Sequence, residues 1–395
     1  MPPVPPPPEL RRIAELVGRG LLPQAESNAC LQAWNTVQKA GRDVPLCDFF
    51  VKAKLLTATQ AAVLARESLL QRQPFAKSPN TGYRLLRQVG EGGMAIVFEA
   101  TYLPVMARVA LKVLDTQFCL LEKDRLRFKR EFGILSRLEH ENIVEGLEWD
   151  TVDGVDYFAM SYVDGISLLD LLDKGVRLSE PLCLHVAVQV ASALDHMHRK
   201  GIVHRDVKPA NFVLDHTGTV RMIDFGLAKV MAGMRQDTAD DTTVGTPEYM
   251  SPEQARGSAA VDSRSDLYGL GCSLFHMLTG ELPFKGTGQE VIYAQVMKPV
   301  EFTAAQGARV SPPVQYVVRK MMAKAPGDRY QSGQALLDEL NVLCAAILAK
   351  PIAVPDEVHA ATVESAPIPA KSAPVLRRPT GRLAHDRRLR RHPRR

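Results

Sequence analysis

His204-Arg205-Asp206-Val207-Lys208-Pro209-Ala210-Asn211, followed at short range by Asp224-Phe225-Gly226, is the stretch from which the rest of this chain is read. The first segment puts a carboxylate (Asp206), a cation two residues on (Lys208) and an amide five residues on (Asn211) in one tight loop. The second ends the apolar run Val220-Arg221-Met222-Ile223 with another carboxylate, Asp224. Phosphoryl transfer calls for this set: a base for the attacking hydroxyl, a cation for the migrating phosphate and two oxygen ligands for Mg²⁺. Asp206 and Lys208 suit the first two tasks, Asn211 and Asp224 the third.

Working outward, Gly90-Glu91-Gly92-Gly93-Met94-Ala95-Ile96-Val97 falls between two expected strands. Glycines let backbone approach phosphates and aim N–H groups at them. A dinucleotide-binding loop would run into a helix, whereas here a strand follows; an ordinary hairpin is an equal reading of this motif alone. Val109-Ala110-Leu111-Lys112 ends an apolar strand with a lysine, which by itself would commonly snorkel to solvent. Phe128-Lys129-Arg130-Glu131 follows on the next expected helix, where a glutamate by itself would commonly be a solvated carboxylate.

In this order and spacing the set resembles the eukaryotic-type protein kinases, particularly the bacterial serine/threonine kinases, over residues 83–345. The resemblance implies an α+β, two-lobed fold, a small β-rich lobe (83–162) and a larger helical lobe (163–345), acting on ATP with Mg²⁺. It makes Asp206, Lys208, Lys112 and Glu131 the catalytic set, with Asn211 and Asp224 on the metal. It assigns Val89, Gly90, Glu91, Gly92, Gly93, Met94, Ala95, Ile96, Val97, Ala110, Lys112, Met160, Tyr162, Val163 and Val213 to the nucleotide, with 160–163 as the hinge beside adenine. Lys208 implies Ser/Thr rather than Tyr acceptors. Further implied are packing of His204 on Phe225, Thr246 against Asp206 and Lys208, Asp266 anchoring the catalytic loop, and a Glu253–Arg329 ion pair. The chain departs from the family pattern at Ala95 (usually Gly), Ser161 (often Glu) and Ser251 (usually Ala). Two rivals stay open on sequence alone: a non-catalytic scaffold, for which Ala95 argues, and a small-molecule kinase, which would lack the segment 245–253 and Arg329.

The net charge of +5 hides an asymmetry. From Lys371 to Arg395 there are one Lys and nine Arg against Asp386 alone, so the rest of the chain is net −4. Six scattered cysteines (30, 47, 119, 183, 272, 344) never approach Cys-x-x-Cys spacing, which speaks against zinc or a disulfide framework. No run reaches the roughly 18 uncharged apolar residues of a membrane span, and no signal-peptide core is present, so the expectation is a cytoplasmic protein.

Residues 1–8 are Pro-rich and expected to be disordered. Over 9–70 a weak repeat with offset 34 aligns Ile13, Leu16, Val17, Leu21, Leu22, Ala29 and Cys30 with Cys47, Phe50, Val51, Leu55, Leu56, Val63 and Leu64. Its helical spacing predicts a small four-helix module, either a partner-docking or a structural unit. Residues 71–82 read as a linker. Strands are expected over Tyr83–Val89, Ala95–Tyr102 and Arg108–Val113, a helix over Lys123–Leu138, and mainly helix beyond Val163. Residues 351–395 read as a disordered basic tail open to polyanions. Thr242 and Thr243, ahead of Gly245-Thr246, are the expected autophosphorylation sites.

Overall fold

Five strands follow Gly82: β1 (Tyr83–Glu91), β2 (Ala95–Tyr102), β3 (Ala107–Leu114), β4 (Gly146–Val152) and β5 (Val155–Ser161). The computed structural model describes residues 13, 17, 22–39, 46–57, 82–119, 121–152, 154–225, 229–230, 246–258, 261–347 and 353–358. The strands form one antiparallel sheet in the order β1-β2-β3-β5-β4. β3 therefore has a neighbour on each side, and Lys112 stands opposite Val97 on β2 and Phe158 on β5.

One long helix, Glu122–Leu135, lies on this sheet and contributes Phe128, Ile134 and Leu135 to the core. It starts one residue before the expected Lys123 and stops short of Leu138, which is still buried but sits in a following turn, its N–H bonded to the Leu135 carbonyl at 3.0 Å. The Phe128 and Phe132 rings meet Phe158 at 5.0 and 5.6 Å. Arg125 adds two bonds, 2.6 and 2.9 Å, to the buried Asp156 at the start of β5.

The large lobe is built on two buried helices, Glu180–Arg199 and Ser263–Thr279. Ser179 caps the first and Asp262 the second, which ends at Gly280 with φ 72°, a left-handed turn that glycine adopts without strain. The helix Gly333–Ile347 crosses the first so closely that a Cβ on Gly333 would stand 2.6 Å from the Asp195 Cβ. Short strands interrupt the expected helical run: β6 (Gly165–Ser167), β7 (Ile202–Val203), β8 (Phe212–Asp215), β9 (Val220–Met222) and β10 (Lys229–Val230). β8 is buried throughout, so it has no polar alternation to read.

At the N-terminal end, Gln24–Lys39 and Leu46–Lys52 are helices, the first starting after Pro23 as expected. Ile13, Leu22, Leu46, Phe50 and Leu56 are buried, and Leu22 and Leu56 occupy equivalent repeat positions with equal exposure, 6% each. Residues 1–8, the later part of the second repeat, nearly all of the linker and 359–395 lie outside the described residues. Within the stretch expected to lack order, residues 353–358 are placed: Val354 comes against Gly218, and Val358 is fully buried. Among the described residues no helix is long and apolar enough to cross a membrane.

Candidate active site

The loop between β7 and β8 carries the densest chemistry, and its shape is set from beneath. Asp266, fully buried on the helix Ser263–Thr279, accepts from the His204 and Arg205 amides at 2.9 and 2.8 Å and bonds His198 at 2.8 Å. Arg205 has φ 69°, a left-handed conformation that costs a side-chain-bearing residue on the order of 1–3 kcal/mol. Its N–H on Asp266 and its carbonyl, which accepts from Gln254 at 2.8 Å, hold it there. His204 is buried with its ring 5.4 Å from Phe225, the packing expected. Gly269 lets the helix approach the loop, since a Cβ there would stand 3.0 Å from the Val207 carbonyl.

On that frame the Asn211 amide nitrogen donates to the Asp206 carbonyl and carboxylate at 2.8 and 3.1 Å. Lys208 lies 2.9 Å from the Asp206 carboxylate and donates to the Thr246 hydroxyl at 3.0 Å. Thr246 thus meets Lys208 as expected.

Lys112 pairs with Glu131 at 2.5 Å and with Asp224 at 3.0 Å, and Asp224 is tied to the loop through its neighbour Ile223, whose N–H donates to the Asn211 carbonyl at 3.1 Å. Burial pulls the ammonium down, but Asp224 and Glu131 outweigh it and hold Lys112 above its ordinary value. Burial pushes Glu131 up, to about 7, against the pull of Lys112. Asn211 has both amide protons on Asp206, so its oxygen is the atom suited to a cation. With Asp224 it forms the hard-oxygen pair that Mg²⁺ favours, and the residues fit that ion.

The glycine loop closes as a hairpin, with Gly92 N–H on the Ala95 carbonyl at 2.9 Å. A Cβ on Gly93 would meet nothing within 4 Å, and neither Gly92 nor Gly93 takes a left-handed φ. The fold does not require glycine there, which leaves close backbone approach by a ligand as its use. Ala95 is buried, paired with Leu114, so its methyl belongs to the sheet. Met94, Ile96 and Val97 are half-buried, while Val89, Glu91 and Gly92 are exposed. Ala110 and Met160 are buried neighbours across β3 and β5. Tyr162 and Val163 continue from there half-buried, and Val213 is buried on β8. The Ser161 hydroxyl, where relatives often carry Glu, accepts from Glu145 N at 2.9 Å.

The Glu253–Arg329 pair is bidentate, 2.7 and 2.8 Å, with Arg329 wholly buried. Ser251 is the N-cap of a capping box with Gln254, and Gln254 in turn holds Arg205. Sequence reading missed Gln254 and His198, although Ser251-x-x-Gln254 is a capping-box pattern that signals the first. Gly226 and 231–245, with Thr238, Thr242 and Thr243, lie outside the described residues.

A family model described as "protein kinase domain" matches residues 83–340. A probable serine/threonine-protein kinase of Corynebacterium efficiens is 37% identical over 274 residues, 66% of this chain and 41% of that protein. The serine/threonine-protein kinase PknB of Mycolicibacterium smegmatis is 37% identical over 268 residues, 65% and 42% of the two chains. PrkC of Bacillus subtilis is 34% identical over 256 residues, 64% and 39%. In these alignments the chain spans about two fifths of the length of the curated relatives it matches.

Proposed function

The chain belongs to the protein kinase family, and on that premise we propose that it transfers the γ-phosphate of ATP to Ser and Thr hydroxyls of proteins. The observation that carries this is the convergence of Asp206, Lys208 and Asn211 in one buried-anchored loop opposite Lys112, Glu131 and Asp224. Asp206 takes the proton of the acceptor hydroxyl, and Asn211 fixes its carboxylate for that task. Lys208, between Asp206 and Thr246, offers its charge to the migrating phosphate. Lys112, oriented by Glu131, meets the α- and β-phosphates under the glycine loop. Bound Mg²⁺ supplies charge neutralisation for the phosphates, and Asn211 and Asp224 are the residues that would hold it. Lys208 and the similarity to serine/threonine-protein kinases support Ser/Thr acceptors.

The same reading places the protein in cytoplasmic signalling, switched on by autophosphorylation of Thr242 or Thr243. A phosphate there brings about −1.5 to −2 charges. In this reading the module at 9–70 is a structural or partner-docking unit, and the basic tail is open to polyanions. Removing 359–395 should leave catalysis on a small peptide unchanged and weaken polyanion binding in a salt-dependent way.

The test is incubation of the whole 395-residue chain with MgATP and a mixed histone preparation, followed by phosphosite mapping. Phosphoserine or phosphothreonine on histone, and phosphate on Thr242 or Thr243, are expected; absence of any transfer overturns the reading.

A further inference from the structure

Thr246–Met250 is the stretch of chain that lies against the catalytic loop, through the bond from Lys208 to the Thr246 hydroxyl. Lys208 contacts Asp206 and Thr246 together, so the segment begins beside the carboxylate that receives the acceptor proton. Two residues that the mechanism does not use hold the segment among the described residues: His276, whose Nδ1 lies 2.8 Å from the Tyr249 hydroxyl, and Gln295, which holds its backbone. Gln295, fully buried on the helix Gly288–Met297, donates from Nε2 to the Pro247 carbonyl at 3.1 Å and to the Glu248 carbonyl at 2.8 Å. Its Oε1 accepts from the hydroxyl of Tyr268, also fully buried, at 2.6 Å. The Tyr268 oxygen in turn accepts from Lys324 Nζ at 2.8 Å.

The direction of this chain is fixed by chemistry. An ammonium only donates, so Tyr268 must accept from Lys324 and spend its single proton on Gln295. That sets the amide with its oxygen toward Tyr268 and both N–H bonds toward the two carbonyls. Every polar group of Gln295 is then used, and at zero exposure none can be exchanged for water.

We propose that Gln295 is a positioning residue for the segment 246–250, governing affinity for the protein acceptor and leaving nucleotide binding alone. This rests on the kinase reading above. The carbonyls it holds belong to residues 247 and 248, directly after Thr246, so their loss lets the segment tilt away from Lys208. The nucleotide groups on β3 and the helix Glu122–Leu135 have no bond to this chain of residues.

The experiment uses the whole 395-residue chain with Gln295→Leu, Tyr268→Phe and the double variant, assayed with MgATP and mixed histones. Gln295→Leu is expected to raise the histone KM by roughly tenfold or more, the weight of a buried hydrogen bond left unmade. Tyr268→Phe should do so less, the double variant should be no worse than Gln295→Leu, and the KM for ATP should not move. Amide hydrogen exchange should quicken over 246–252 and stay unchanged over 204–211. If Gln295→Leu does not fold, Tyr268→Phe, which removes one oxygen and keeps the ring, carries both readouts. Unchanged histone KM and unchanged exchange in an active protein overturn this inference alone, as does an equal rise in both KM values. A wild-type protein that transfers no phosphate overturns the kinase reading together with it.

Discussion

In the loop 204–211 the reactive side chains hang from backbone that is bonded to the buried Asp266 and the half-buried Gln254 of the same lobe, whereas Lys112, Glu131 and Asp224 come from separate parts of the fold and meet only through their side chains. Asp266 and Gln254 fix the loop whatever the small lobe does. The Lys112–Glu131 contact exists only while the helix Glu122–Leu135 lies on the sheet. One half of the site is preorganised and the other assembled, which is the arrangement an enzyme switched by movement of a single element needs. The difference teaches where to look for catalysis and where for control.

The sharpest way to break the comparison is to remove one group from each half. Asp206→Asn should lower kcat by about 10²–10⁴ and leave nucleotide affinity nearly intact, because the loop is held through other atoms. Lys112→Met should cost a comparable amount of activity, and it should also weaken nucleotide binding. Initial rates with nucleotide titrations decide it; wild-type turnover in either variant ends the assignment.

Beneath the preorganised half lies Glu253–Arg329. Breaking a buried pair by removing one charge costs about 3–5 kcal/mol, so Glu253→Gln should lower unfolding free energy by that order, measured by chemical denaturation. The pH dependence has a definite sign. Burial works to raise the Glu253 carboxyl, but the bonds from Arg329 and Ser265 outweigh it and leave it below its ordinary value. A depressed carboxylate contributes stability that is present above its unfolded value of 4.5 and lost as pH falls below that. The gap between wild type and Glu253→Gln should therefore narrow on acidification below about pH 4.5; a gap that widens contradicts the assignment.

Assembly of the other half depends on how the helix Glu122–Leu135 is docked. Arg125, a third exposed, makes its two bonds to an Asp156 side chain that is 2% exposed. Solvent screening of the arginine discounts the pair, so Arg125→Ala should cost about 1–2 kcal/mol. The loss should fall on activity, roughly tenfold, and Arg125→Lys should restore part of it. If activity is untouched while stability drops, the pair is structural and the comparison loses its switch.

The two halves also differ in how far they could be read from sequence. Asp206, Lys208 and Asn211 sit within six residues, and the spacing alone brings them together. Lys112, Glu131 and Asp224 are spread over more than a hundred residues, and only the kinase resemblance joined them; the salt-bridge distances now do so directly. The small sheet was legible in short β-type runs, with Gly92-Gly93 between β1 and β2 and Pro104 between β2 and β3. The short β6 to β9 were not, because they are two to four residues long and too short to show a period. Gln295 was invisible, since a buried glutamine in a helix is marked by its partners and by nothing in the local sequence. Val358 was misjudged with the Pro- and Arg-rich tail around it, although it fills a buried position.

The smallest expected effect concerns Ala95, where kinases usually carry a third glycine. Its methyl is buried and its residue is paired with Leu114 at the start of β2, so it stiffens the base of the hairpin and leaves the tip at Gly92-Gly93 open. Ala95→Gly removes that methyl from the core and adds backbone freedom, a cost to stability of about 0.5–1 kcal/mol in a strand. The gain for nucleotide binding should be small, because the backbone that approaches phosphates lies at 92–93. We expect the KM for ATP to fall slightly or stay level, with kcat retained. A large loss of activity in Ala95→Gly would mean that the stiffness of this hairpin, unlike the freedom of a three-glycine loop, is what places the phosphates in this kinase. Steady-state kinetics on the purified variant distinguish the two.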